Sequence, residues 1–121
     1  MPDSARHILL VEDDPELLMV LTQVLESDGY HVSGAARRQE ALAVLRKGGV
    51  DLIVTDSVLR GGNGNDIVNR ATSGGVPVIL MSGEPERIES LRVGSHPFLQ
   101  KPFRAAELLR LIETVLKPGP A

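Results

Sequence analysis

Short apolar runs alternate with amphipathic stretches along almost the whole chain. A strand that is buried on both faces of a sheet is apolar throughout, whereas a helix at the surface repeats its apolar positions every three to four residues. Ile8–Val11 fits the buried-strand pattern throughout, and the other segments that favour strands are Tyr30–Ala35, Leu52–Thr55, Val76–Met81 and Phe98–Gln100. They predict five short strands.

The segments that follow these runs predict helices. The first begins at Pro15, which the first turn of a helix tolerates, and it ends at Gly29. A second helix around Ala41–Leu45 ends at Gly48-Gly49, and shorter ones are predicted at Asn65–Thr72 and Pro85–Val93. The last helix has the clearest apolar stripe, formed by Ala105, Leu108, Leu109, Ile112, Val115 and Leu116.

Strand and helix therefore alternate five times, which predicts an α/β fold. Right-handed crossovers of this length give a parallel sheet with helices on both faces. In such sheets the functional groups gather beyond the carboxyl ends of the strands. The polar residues at those positions are Glu12, Asp13 and Asp14 after the first strand, Asp56 after the third, Ser82 after the fourth and Lys101 after the fifth.

Length and composition indicate one globular domain. The chain has 121 residues, of which 42% are apolar and 24% charged, so we expect residues 1–121 to form a single domain with its core at about 6–116 and flexible ends. The absence of cysteine excludes a disulfide framework and thiolate metal ligands. The start has no signal-peptide pattern and the apolar runs are too short to span a bilayer, so we expect a cytoplasmic protein without membrane contact.

Most of the candidate site residues are acidic. Glu12, Asp13 and Asp56 would bring three negative charges within a few ångströms, and a hard divalent cation such as Mg²⁺ would compensate them. Mg²⁺, Lys101 and the Ser82 hydroxyl could then hold a phosphoryl group. We interpret Asp14 as a helix cap and Asp51 as a surface acid. A net charge of −3 argues against direct nucleic-acid binding.

Four segments in this order resemble the receiver domain of bacterial two-component response regulators. They are Ile8–Pro15 (ILLVEDDP), Asp51–Asp56 (DLIVTD), Val76–Gly83 (VPVILMSG) and Phe98–Phe103 (FLQKPF). The resemblance covers roughly Arg6–Leu116. It implies a flavodoxin-like (βα)5 fold, a doubly wound parallel sheet with strand order 2-1-3-4-5.

The resemblance also implies roles at the site. Asp56 would accept a phosphoryl group from a sensor histidine kinase or a histidine phosphotransfer protein. Asp13, Asp56 and the Val58 main-chain carbonyl would bind Mg²⁺ directly, and Glu12 would bind it through water. The family further implies a receiver homodimer as a partner.

The remaining implied roles concern the switch. Lys101 would pair with Asp56 and then with the phosphoryl oxygens, next to a cis peptide bond to Pro102. Ser82 would donate its hydroxyl to the phosphoryl group, and Phe98 would change rotamer as Ser82 moves. This rearrangement would alter an output surface that includes the predicted fourth helix. For Phe98, ordinary core packing is the alternative interpretation.

The chain departs from the family pattern after Asp56, where Leu59-Arg60 replaces the usual Met-Pro pair and a glycine-rich segment follows. Two alternative functions stay open at this point. A phosphatase-like enzyme would use the same Asp and Mg²⁺, but it would usually need a second acid where Val58 stands. A docking domain that does not depend on phosphate is the other. We expect no enzyme beyond self-phosphorylation and autodephosphorylation chemistry.

Overall fold

A central parallel sheet of five strands forms the fold. The computed structural model describes residues 6–56, 58–59, 62–63, 65–83 and 96–116. The strands are β1 (His7–Val11), β2 (His31–Ala35), β3 (Leu52–Asp56), β4 (Val78–Ser82) and β5 (Phe98–Gln100). They lie in the order β2-β1-β3-β4-β5, and every neighbouring pair is parallel. The predicted fold class and strand order are confirmed.

Four helices are described. They are α1 (Pro15–Ser27), α2 (Arg38–Lys47), α3 (Asn65–Ser73) and α4 (Ala105–Leu116). None of these helices is long and apolar enough to cross a membrane. The predicted helix Pro85–Val93 lies outside the described residues.

Two differences from the sequence-based prediction have a backbone cause. β4 begins at Val78, two residues later than predicted, because the Val76 N–H donates to Ala71 O (2.8 Å) in the turn after α3 and Pro77 has no N–H to donate. The glycine-rich segment after β3 contains a two-stranded antiparallel ribbon that the sequence did not predict, in which Val58 pairs with Asn63 and Leu59 with Gly62.

The sheet separates two apolar cores. Successive residues of β1 point to opposite faces, so that Leu9 and Val11 join one core whereas Ile8 and Leu10 join the other. Helices α1 and α4 cover the face with Ile8 and Leu10, and α2 and α3 cover the opposite face. The α4 stripe is buried at Leu108 and Ile112, but Ala105 at its start is exposed, contrary to prediction.

This arrangement sets the position of the candidate site. In the strand register Val11 is opposite Thr55, Asp56 is opposite Met81, and Ser82 is opposite Gln100. The polar residues at or just beyond the carboxyl ends of β1, β3, β4 and β5 therefore share one edge of the sheet.

Candidate functional site

Three carboxylates meet at this edge. Glu12 and Asp13 follow β1 and Asp56 ends β3, and one oxygen from each lies within 4.8 Å of the others. Glu12 is almost completely buried, with 1% of its side chain exposed, whereas Asp13 and Asp56 are half-buried. The structure therefore brings together the three acids that the sequence singled out.

Lys101 bridges two of these acids. Its Nζ donates to Glu12 Oε1 at 2.6 Å and to Asp56 Oδ2 at 3.0 Å. The backbone of Lys101 is also held, because its N–H donates to Ser82 O at 2.7 Å. Its peptide bond to Pro102 is cis, as the family resemblance implied. Sequence reasoning anticipated the contact with Asp56 but missed the contact with Glu12. Weighing one Lys against three acids could have suggested that it is shared.

In both Glu12 and Lys101, burial and hydrogen bonding shift the pKa in opposite directions. Burial raises the pKa of Glu12, and the hydrogen bonds from Lys101 and the Asp14 N–H only partly oppose that rise. Burial by itself lowers the pKa of Lys101, but the hydrogen bonds to Glu12 and Asp56 outweigh it, so the pKa of Lys101 lies above its ordinary value. Lys101 therefore carries its positive charge at neutral pH.

Asp14 acts as a helix cap, as predicted. Its Oδ1 accepts hydrogen bonds from the N–H groups of Glu16 (3.0 Å) and Leu17 (3.4 Å) at the start of α1. The Asp14 N–H in turn donates to Glu12 Oε2 at 3.1 Å. The cap thus connects the start of α1 to the acidic cluster.

Asp51 lies at the opposite edge of the sheet, where it accepts a hydrogen bond from the His7 N–H (2.8 Å). The His7 ring joins two further segments, since Nδ1 lies 3.2 Å from Gly49 O and Nε2 lies 2.7 Å from Ser33 Oγ. A carbonyl oxygen can only accept, so Nδ1 carries a proton, and in the neutral ring Nε2 accepts from the Ser33 hydroxyl. This group of residues links strands β1 and β2 to the segment after α2.

Three further residues named from the sequence lie at or near the site. Ser82 is buried at the end of β4. Phe98 is partly buried, pairs in register with Leu80 and packs against the core beneath α2 and α3. Val58 lies two residues after Asp56 in the short ribbon, and its carbonyl as a metal ligand stays a prediction.

The donor set of the cluster suits a hard divalent cation. Glu12, Asp13 and Asp56 supply only carboxylate oxygens, which Mg²⁺ prefers over nitrogen or sulfur ligands. One lysine does not neutralise three carboxylates, so a divalent cation would also balance their charge. Both the chemistry and the charge therefore fit Mg²⁺.

Comparisons with known proteins point to one family. Residues 8–113 match the family model described as the response regulator receiver domain. The chain is 34% identical over 116 residues to the uncharacterized transcriptional regulatory protein YkoG of Bacillus subtilis, a match that covers 92% of this chain and 51% of that protein. It is 32% identical over 122 residues to the DNA-binding response regulator MtrA of Mycolicibacterium smegmatis, covering 97% and 53%.

Solved structures agree as well. A CheY-like response regulator receiver domain protein from Methanospirillum hungatei superposes with a TM-score of 0.81 at 30% identity, over 93% of this chain and 94% of that one. The chain spans about half the length of the curated relatives it matches.

Proposed function

The chain belongs to the response regulator receiver domain family, and we propose that Asp56 is the residue at which it accepts a phosphoryl group. The domain is a signalling module of two-component systems. The proposed donor is a phosphohistidine on a sensor histidine kinase or on a histidine phosphotransfer protein.

One observation supports this proposal above the others, namely that the Lys101 ammonium contacts Asp56 Oδ2 at 3.0 Å while Glu12 and Asp13 face the same carboxylate. A carboxylate at the end of a strand, with a cation and further acids beside it, is placed to act as a nucleophile toward phosphorus. Asp56 is also partly exposed, with 14% of its side chain accessible, so that an incoming donor could reach it.

In the proposed step, a carboxylate oxygen of Asp56 attacks phosphorus and forms an O–P bond. The P–N bond to the donor histidine breaks, and its electron pair stays on the imidazole nitrogen, which can then take up a proton from water. Charge on the transferred oxygens is stabilised by the Lys101 ammonium and by the Ser82 hydroxyl as a hydrogen-bond donor. The phosphoryl group on Asp56 adds negative charge beside Glu12 and Asp13. The Lys101 ammonium is positioned to balance part of this charge.

A bound Mg²⁺ ion would supply positive charge to the phosphoryl oxygens. Asp13, Asp56 and the main-chain carbonyl of Val58 would hold it directly, and Glu12 would do so through water. In the proposed switch, Ser82 moves toward the phosphoryl group and Phe98 changes rotamer, which alters the output surface. We also propose that the domain pairs with a second receiver copy as a homodimer. We propose no direct contact of this domain with nucleic acid.

Treatment with acetyl phosphate and Mg²⁺, followed by intact-mass measurement, tests the assignment. We expect one phosphoryl group on the wild-type chain and none on Asp56→Asn. Asp51→Asn is the matched control and should be modified like the wild type, because Asp51 lies at the opposite edge of the sheet.

The same experiment separates the alternative functions. An adduct on Asp56→Asn in the same yield would refute Asp56 as the acceptor. Rapid multiple turnover of acetyl phosphate would indicate a phosphatase-like enzyme, and no reaction of the wild type would indicate a docking domain that does not depend on phosphate.

A further inference from the structure

Both carboxylate oxygens of Glu12 are already engaged by donors from the protein. Oε1 accepts from Lys101 Nζ at 2.6 Å, and Oε2 accepts from the Asp14 N–H at 3.1 Å. The Glu12 contact of Lys101 is shorter than its 3.0 Å contact with Asp56. This almost fully buried acid is thus held between a helix cap and the candidate catalytic lysine.

We propose that Glu12 is a positioning residue that anchors the Lys101 ammonium beside Asp56, so that its main contribution to phosphorylation is made through Lys101. This inference rests on the proposed function, because it assigns a role in phosphoryl transfer to Asp56. It deepens that function by naming what holds Lys101 in place.

The need for an anchor follows from the lysine side chain. The ammonium sits at the end of a flexible four-carbon stem, whose freedom would have to be lost on the way to the transition state. The structure fixes both ends of this residue: the Lys101 N–H is bound to Ser82 O, and Nζ is bound to Glu12. Asp56 shares the ammonium, so Glu12 holds it in contact with the proposed nucleophile.

Glu12 is suited to this role because its backbone and its side chain are both hydrogen-bonded to other elements. The Glu12 N–H donates to Ala35 O at 3.0 Å on β2, and Asp14, whose N–H holds Oε2, caps α1. Glu12 is therefore held by β2 and by the start of α1. With both oxygens engaged, we expect it to contribute less to Mg²⁺ affinity than Asp13.

A double-mutant cycle at saturating Mg²⁺ tests the proposal, with acetyl phosphate as the donor and the single-turnover rate as the readout. We expect Glu12→Ala and Lys101→Ala each to slow phosphorylation by about 10- to 100-fold, the range by which positioning effects change rates. The double variant should be within about two-fold of Lys101→Ala, because Glu12 has nothing left to position. Glu12→Gln should retain part of the rate through its amide oxygen.

The matched control is Asp13→Ala combined with Lys101→Ala. Asp13 is proposed to act through the metal, so the fold loss in phosphorylation rate caused by Asp13→Ala should multiply with the fold loss caused by Lys101→Ala. A multiplicative loss in the Glu12–Lys101 pair as well would overturn the anchoring role. A calorimetric Mg²⁺ titration in which Glu12→Ala loses as much affinity as Asp13→Ala would also overturn it, in favour of direct ligation.

A metal-free measurement makes the inference independent of phosphorylation. In EDTA, Glu12→Gln should raise the urea midpoint more in the Lys101→Met background than in the wild type, because Lys101→Met leaves a buried carboxylate without its ammonium partner. Equal shifts in both backgrounds would refute the anchor. If the wild type takes no phosphoryl group but the shifts differ, the proposed function fails while the Glu12–Lys101 anchor stands.

Discussion

The Asp13→Asn substitution should stabilise the metal-free protein and should also reduce the additional stabilisation that Mg²⁺ binding provides. In the metal-free state the three acids at the edge of the sheet repel one another. One oxygen of each acid lies within 4.8 Å of the others, and two unit charges at that upper distance repel by about 3.5 kcal/mol at an effective dielectric constant of about 20. Asp13 is only half-buried, so solvent screening reduces this figure, and we expect a gain of about 1–2 kcal/mol in the free energy of unfolding.

Adding Mg²⁺ should stabilise the wild type, because the ion balances the same negative charges. A ligand at 100 times its Kd stabilises the folded state by about 2.7 kcal/mol. For a domain of this size about 1 kcal/mol corresponds to about 4 °C in Tm, which gives about 10 °C for the wild type in Mg²⁺ and about 4–8 °C for Asp13→Asn in EDTA. We expect Mg²⁺ to raise the Tm of Asp13→Asn by less than half as much as that of the wild type.

Thermal denaturation followed by far-UV circular dichroism measures the Tm of the wild type and of Asp13→Asn, each in EDTA and in Mg²⁺. The chain has no tryptophan, so backbone dichroism is a better probe than fluorescence. Glu26→Gln is the control, because it removes one negative charge from the exposed surface of α1. The reasoning would be refuted if Asp13→Asn melted at or below the wild type in EDTA, or if both gained equally from Mg²⁺.

Three further predictions concern the stability of the fold. His7→Ala should lower the free energy of unfolding by about 1–3 kcal/mol, measured in urea, because the ring joins Ser33 and Gly49; no loss would show that these hydrogen bonds add nothing. Asp14→Ala should cost about 1 kcal/mol and Asp14→Ser much less, since serine also caps a helix, and equal losses would contradict the capping role. Gly48→Ala should cost about 1 kcal/mol because φ is +81°, although the added Cβ would meet nothing within 4 Å, and an unchanged Tm would argue against backbone strain there.

The sequence by itself determined the fold class and the edge of the sheet at which the acidic residues meet. Apolar runs such as Ile8–Val11 and Leu52–Val54 are continuous because their strands are buried on both faces. Their alternation with helices predicts a parallel sheet. Because the carboxyl ends of parallel strands share one edge, the acids after β1 and β3 could be placed together before any distance was known. Asp14 as a cap followed from local chemistry alone.

Local chemistry was not enough where a result depended on contacts between distant segments. The late start of β4 depends on a hydrogen bond from Val76 back to α3, and the ribbon after Asp56 depends on the pairing of Val58–Leu59 with Gly62–Asn63. The division of Lys101 between Glu12 and Asp56 was decided only by the tertiary structure, since 89 residues separate Lys101 from Glu12 along the chain. Residue types tell which charges attract one another, but the choice of partner among several acids depends on burial and reach, and these exist only once the sheet has assembled.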